Sequence, residues 1–310
     1  MNDRLNVRGA MLLEWLIAGA LGMLIIAGGL RIYVQVNRFQ YQLQHIDELQ
    51  LRAQSTLQLL VRAFQKAGYW GNQTAFSTTS LDRSSNCQLP NYPQNTDART
   101  DIGLYSVRKT ASISLPCLES PTHPLLNNSD VIEIIGLEDS VQHYSSLPEA
   151  NDGPVYQPAN VVSPLLNSER RYHHQWFFLV QGDDGPALQM FYRNKNGIAG
   201  QTTGVLVSGI VALRIRAAVC MPDGIHWLAS DQMGASDWSQ VLAVDIGLLV
   251  RSSEPVPSIH SMSEYEIAGQ HIHLSGAAQN YQYTTAEQIV WLSAFAMQVQ
   301  CPRPLRGASS

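Results

Sequence analysis

Hydrophobic positions change their spacing twice along this chain, and each change marks a different kind of element. Residues 1–9 are short and polar, with Arg4 and Arg8 outweighing Asp3. An apolar run from Ala10 to Leu30 follows, broken by a single carboxylate at Glu14. At 1.5 Å per residue the run predicts about 31 Å of helix, enough to cross a hydrocarbon core. The basic start favours a cytoplasmic N-terminus with the remainder outside. A carboxylate within such a run costs about 2.5–3.5 kcal/mol, so Glu14 needs a reason to be there.

From Arg31 to Lys66 there is no proline or glycine, and Gln, Leu, Arg, Ala and Glu dominate, which favours helix. Ile46, Leu49, Ala53, Leu57, Leu60, Phe64 and Ala67 recur at three- and four-residue steps as one apolar stripe. Asp47, Gln50, Gln54, Gln58, Arg62 and Gln65 occupy the opposite face. Heptads do not persist, which argues against a coiled coil. Gly68 is placed to cap the helix. The pattern therefore predicts one helix from Ala10 to Ala67, about 87 Å long.

Beyond Gly68 the period shortens to that of strands. Expected strands are Val131–Ile135, Gln175–Gln181, Leu188–Arg193, Val205–Ala218 and Leu242–Val250, with Val290–Val299 closing the sheet. Asp183-Asp184-Gly185-Pro186 has hairpin-turn chemistry between the second and third of these. Phe76–Asp130 and the stretch from Glu254 to about Thr285 show no sustained period and read as loops. The expected fold class is α+β: a long helical spine, first apolar and then amphipathic, packed on a mainly antiparallel sheet with long loops. The expected divisions are 1–9, 10–30, 31–68, a loop-rich region 69–130, and a β-rich head 131–310.

A secretory signal cut near Ala18-Gly19-Ala20 or Ala27-Gly28-Gly29, or a plain membrane anchor, would leave Glu14 without a role. The stretch Arg8-Gly9-Ala10-Met11-Leu12-Leu13-Glu14 instead resembles the N-terminal motif of type IV prepilins. The helix end Ala67-Gly68-Tyr69-Trp70-Gly71 resembles the PilW group of minor pilins, as do Gly209–Ile215 and Ile246–Ser252 more weakly. The resemblance implies cleavage by a prepilin peptidase between Gly9 and Ala10, and N-methylation of the new terminus at Ala10. It also implies that the Glu14 carboxylate neutralises the terminal amine of a neighbouring subunit. Opposite charges about 4 Å apart attract by roughly 4 kcal/mol at an effective dielectric near 20. Two departures stand out: Ala10 occupies the position where the family usually has phenylalanine, and the proline common near Arg31 in major pilins is missing. Gly28-Gly29 offers a soft point in its place.

By resemblance the expected role is that of a non-enzymatic minor pilin held in the inner membrane, N-terminus cytoplasmic and head periplasmic, and later at the cell surface in the pilus. Its expected partners are other minor pilins, the major pilin, the prepilin peptidase and the inner-membrane assembly machinery. Together they would prime polymerisation, place this subunit at the pilus tip, and serve twitching motility, adhesion or DNA uptake. A minor pseudopilin of a type II secretion system shares the leader, spine and carboxylate. A membrane-anchored periplasmic adhesin that never polymerises is the reading from another class.

Four cysteines, Cys87, Cys117, Cys220 and Cys301, contain no Cys-x-x-Cys pair, so a zinc ribbon or thioredoxin motif is not indicated. In an oxidising space disulfides are the default. Three pairings are possible; the expected one joins Cys87 to Cys117 and Cys220 to Cys301, each worth about 4 kcal/mol in the loop-entropy model. The chain carries no Gly-x-Ser-x-Gly elbow, phosphate loop or His-Glu-x-x-His, so no enzyme and no cofactor are expected. His271 and His273 would share one strand face, and His173-His174 precede another strand, but neither pair has a third ligand at a recognisable spacing. They read as surface histidines, and no metal is expected. Asn194-Lys195-Asn196-Gly197 reads as a turn and not a calcium loop. The net charge is −5, and Arg170-Arg171, Arg214, Arg216, Arg303 and Arg306 are dispersed, so this subunit alone is not expected to bind nucleic acid.

Overall fold

A computed structural model describes residues 3–68, 89, 103–116, 118–120, 122–137, 155–156, 170–192, 201–256, 262–292 and 301. The chain divides into two units, Met1–Gln50 and Leu51–Ser310. Helix α1 runs Asp3–Gln65, so it begins within the expected leader and not at Ala10. Nothing interrupts it at Gly28-Gly29, the expected soft point.

In the first unit α1 contains an apolar stretch, Glu14–Asn37, with a mean hydropathy of 1.9 and none of its hydrophobic window buried. Trp15, Leu16, Met23, Leu24, Ile25 and Ile26 all stand out from it. A helix so apolar and so bare of intramolecular cover is suited to lipid or to other apolar helices.

The second unit begins with the last turns of α1. Ala53, Leu57, Leu60, Phe64 and Ala67 are buried there, while Gln54, Gln58, Arg62 and Gln65 are exposed, as the stripe predicts. Thr56 is also buried; its hydroxyl donates to the Arg52 carbonyl one turn back at 2.7 Å, so no polar atom is stranded. The helix ends in a tight turn closed by Lys66 N–H to Ala63 O and Ala67 N–H to Phe64 O.

The head comprises two antiparallel sheets and a hairpin among the described residues. Strands β1 (Leu104–Arg108), β2 (Asp130–Leu137), β3 (Val155–Tyr156), β4 (Arg170–Gly182), β5 (Gly185–Tyr192) and β6 (Gln201–Ser208) form the first sheet. Its order is β1-β2-β4-β5-β6, with β3 also on β4. Strands β7 (Ile210–Met221), β8 (Gly224–Ala229), β9 (Val241–Arg251) and β12 (Tyr283–Trp291) form the second, ordered β12-β9-β7-β8. Strands β10 (Glu264–Ile267) and β11 (Gln270–His273) form the hairpin. Strand β9 is apolar almost throughout and buried at every position but its last, the pattern of a strand covered on both faces.

Several expectations about the head are corrected. The predicted strand Val205–Ala218 is two strands, because Gly209 at φ 82° turns the chain from one sheet into the other. A Cβ there would lie 2.9 Å from the Arg251 carbonyl oxygen. The predicted loop from Glu254 to about Thr285 contains the β10–β11 hairpin and the start of β12. The predicted loop Phe76–Asp130 contains β1, and β8 lies where no strand is expected. The last described strand is Tyr283–Trp291 and not Val290–Val299, whose later residues lie outside the described ones. His173-His174 fall within β4 and not before it. One expectation is met closely: Asp183-Asp184 form the turn between β4 and β5, with Gly182 opposite Gly185.

Candidate functional site

At the N-terminal end, Gly9 and Ala10 both lie in helical backbone, and Glu14 follows Ala10 by four residues. Positions four apart on a helix stand on one face, about 6 Å apart along the axis. Glu14 is exposed, with Trp15 79% exposed beside it.

The junction between spine and head rests on a glycine pair. Gly68, at φ 65°, donates its N–H to the Ile135 carbonyl of β2 at 2.8 Å, and Ile135 N–H donates to Gly103 O at 2.8 Å. Cβ on Gly103 would sit 2.0 Å from the Gly68 nitrogen, so only glycine allows this approach. Gly68 is therefore more than a cap: it ties the helix end to the first sheet. Tyr69, Trp70 and Gly71 lie outside the described residues, as do Cys87 and Cys117 with their expected pairing.

Beside the helix runs a groove of about 540 Å³. Leu59, Arg62 and Lys66 line its helical wall, and Phe177, Met190 and Leu206 of the first sheet line its floor. Arg62 and Lys66, one turn apart, set two cations against an apolar floor.

A buried polar cluster locks the two sheets together. Asp130, fully buried at the start of β2, accepts from Ser230 Oγ at 2.7 Å and from Arg108 Nε at 3.1 Å. Its other oxygen accepts from the backbone N–H of Ile215 in β7 at 2.7 Å. Arg108 continues to Asp231 at 2.6 Å and to the side-chain Oε1 of Gln270 in β11. Arg214, also buried, has its guanidinium pKa lowered first by burial, against which the nearby Asp130 acts to raise it. Arg216 pairs with Asp245 at 2.7 Å and lies over the Trp227 ring at 5.1 Å. Arg214 and Arg216 are thus engaged within the head. Nothing in the sequence singles out Asp130; a charge between Ser129 and an apolar run reads as a turn residue.

The structure joins Cys220, at the end of β7, to Cys301, with Cα atoms 5.7 Å apart. Among the described residues no group of three or more His, Cys, Asp or Glu is placed to hold a metal ion.

Residues 176–293 match the family model described as PilW, type IV pilus-assembly protein W. The head is PilW-like. The matched span runs from within β4 through β12 and so takes in β5, β6 and most of β4 from the first sheet, the whole second sheet, the β10–β11 hairpin and the Asp130 partners in β7 and at Ser230. No curated protein matches the chain. Among solved structures it is similar to the type IV-like pilin TTHA1219 from Thermus thermophilus, at 14% identity and a TM-score of 0.35. That similarity covers 81% of this chain and 98% of the other. The chain as a whole is α+β, one long helix apolar enough in part to span a membrane followed by antiparallel sheets.

Proposed function

We propose that this chain is a minor pilin that primes assembly of a type IV pilus in the inner membrane and then occupies the pilus tip. The PilW family match over residues 176–293 carries the reading. The exposed apolar stretch Glu14–Asn37 supports it, since that surface requires lipid or other spines as cover. In this reading a prepilin peptidase cuts between Gly9 and Ala10, the amine of Ala10 is methylated, and Glu14 meets the terminal amine of an adjoining subunit. Pairing offsets the cost of holding the carboxylate in hydrocarbon only when the partner is in place, so it also selects the register between spines. The partners are other minor pilins and the major pilin, and the pilus serves twitching motility, adhesion or DNA uptake.

The test is Glu14→Leu expressed in place of the native chain. Its level in the membrane should equal that of the native chain, while its amount in sheared pili should fall by about tenfold or more, the equivalent of losing about 1.4 kcal/mol or more of pairing. Incorporation at the native level would refute the charge pairing. Deletion of the gene should remove surface pili; intact pili with lost export of enzymes would assign the chain to a type II secretion system instead.

A further inference from the structure

We propose that the groove between the end of α1 and the first sheet docks an extended segment of a partner protein in which apolar residues alternate with carboxylates. Its helical wall runs from Ser55 through Leu59 and Arg62 to Lys66, about 16 Å along the axis. About five residues of extended chain cover that length. The floor is apolar, with Phe177 of β4, Met190 of β5 and Leu206 of β6. Phe177 and Met190 face one another in the pairing register, so both side chains stand on one side of the sheet. Met190 and Leu206 are only half-buried, which leaves apolar surface in the groove for an incoming side chain.

Charge decides the occupant. Arg62 and Lys66 are exposed, and neither has an ion pair or a side-chain hydrogen bond among the described residues. No aspartate or glutamate lines the groove. The two cations stand one turn apart, about 6 Å along the axis. Residues i and i+2 of an extended chain stand about 6.6–6.8 Å apart. Two carboxylates at that spacing therefore reach both cations at once. The residues between and beside them point the other way, onto Phe177, Met190 and Leu206.

Two amides separate a peptide from a lipid as the occupant. Gln58 on the helix and Gln175 on β4 both line the groove, and neither side chain has a hydrogen-bond partner among the described residues. Each amide can donate to and accept from a peptide backbone. An acyl chain with one carboxylate would leave both amides and one cation unused. Exposed ion pairs contribute little singly; the apolar floor supplies the binding, and the paired cations select the sequence. The groove lies wholly within the unit Leu51–Ser310, so the inference does not depend on the membrane segment or on entry into a pilus.

Fluorescence anisotropy of a labelled Leu-Glu-Leu-Glu-Leu peptide tests the site, with full-length protein in micelles of uncharged detergent and empty micelles as the blank. The native chain should bind this peptide, and bind Leu-Gln-Leu-Gln-Leu about tenfold more weakly. Arg62→Glu/Lys66→Glu should weaken the acidic peptide by about tenfold or more and bind Leu-Lys-Leu-Lys-Leu better than the native chain does. Misfolding would not produce that reversal, and an unchanged thermal midpoint checks that the exposed substitutions keep the fold. No binding of the acidic peptide, equal binding of the Glu and Gln peptides, or a double variant that binds like the native chain would overturn the proposal. Displacement of the labelled peptide by less octanoate than unlabelled peptide would assign the groove to an acyl ligand and overturn it too.

Discussion

Replacing Asp130 by alanine removes one side chain that holds two sheets. The carboxylate accepts from Ser230 Oγ, from Arg108 Nε and from the Ile215 N–H, and is itself fully buried. Its loss strands the buried Ile215 N–H, at about 1–3 kcal/mol for an unsatisfied donor. It also takes from the buried Arg214 the larger of the two negative charges, Asp130 and Asp231, that counter its desolvation. Arg108 keeps Asp231 and Gln270, so its guanidinium is not orphaned and adds less. Removing one partner of a buried charged cluster costs about 3–5 kcal/mol, and these contributions fall in that range. For a unit of this size the midpoint should drop by about 6–20 °C. Asp130→Asn keeps one acceptor but turns an amide donor toward the Ile215 N–H or the Ser230 hydroxyl, so about half the loss is expected. Urea unfolding of the full-length protein, followed by fluorescence of the buried Trp176 and Trp238, reports the change. A loss below about 1 kcal/mol for the alanine variant would refute the view that Asp130 holds the sheets together.

Gly103→Ala should destabilise the head by about 3 kcal/mol or more, because its Cβ would meet backbone at 2.0 Å and not a movable side chain; a midpoint within error of the native one would contradict the glycine contact. Hydrogen bonding from Lys109 lowers the Glu119 pKa from its ordinary 4.5. Stability from that pair should be full above about pH 4.5 and lost as pH falls through the lowered folded value, and Glu119→Gln should flatten this acid limb in urea titrations. Burial pushes the Tyr283 phenol from 10.0 up to about 12. Its contribution should be full below pH 10.0 and lost as pH rises through about 12; tyrosinate absorbance should therefore show one fewer late-titrating phenol in Tyr283→Phe. Gly9→Val should leave an uncut precursor, visible as a slower band and as an intact initiator end by mass analysis. Equal mobility with the native chain would count against cleavage at Gly9–Ala10.

The sequence alone was enough to place the helix, its apolar and amphipathic halves, the stripe Ala53–Ala67 and the β4–β5 hairpin. Each depends on local periodicity or turn chemistry: 3.6-residue spacing, two-residue alternation, an Asp-Asp-Gly turn. The prepilin-like resemblance also rests on a local stretch, since Gly9, Ala10 and Glu14 lie within six residues of one another. What tertiary structure decided is everything that couples distant residues. Strand β7 and strand β6 belong to different sheets because Gly209 alone turns the chain, and an apolar run gives no sign of such a break. The hairpin β10–β11 is short, and its inward Tyr265, Ile267 and Ile272 are outnumbered in its sequence by polar neighbours, so its period is lost among loop residues. Asp130, Arg108 and Ser230 come together across more than 100 residues, and Glu264 meets His271 and His273 only through pairing register. Proximity of that kind is created by long-range packing, which no single stretch of sequence encodes.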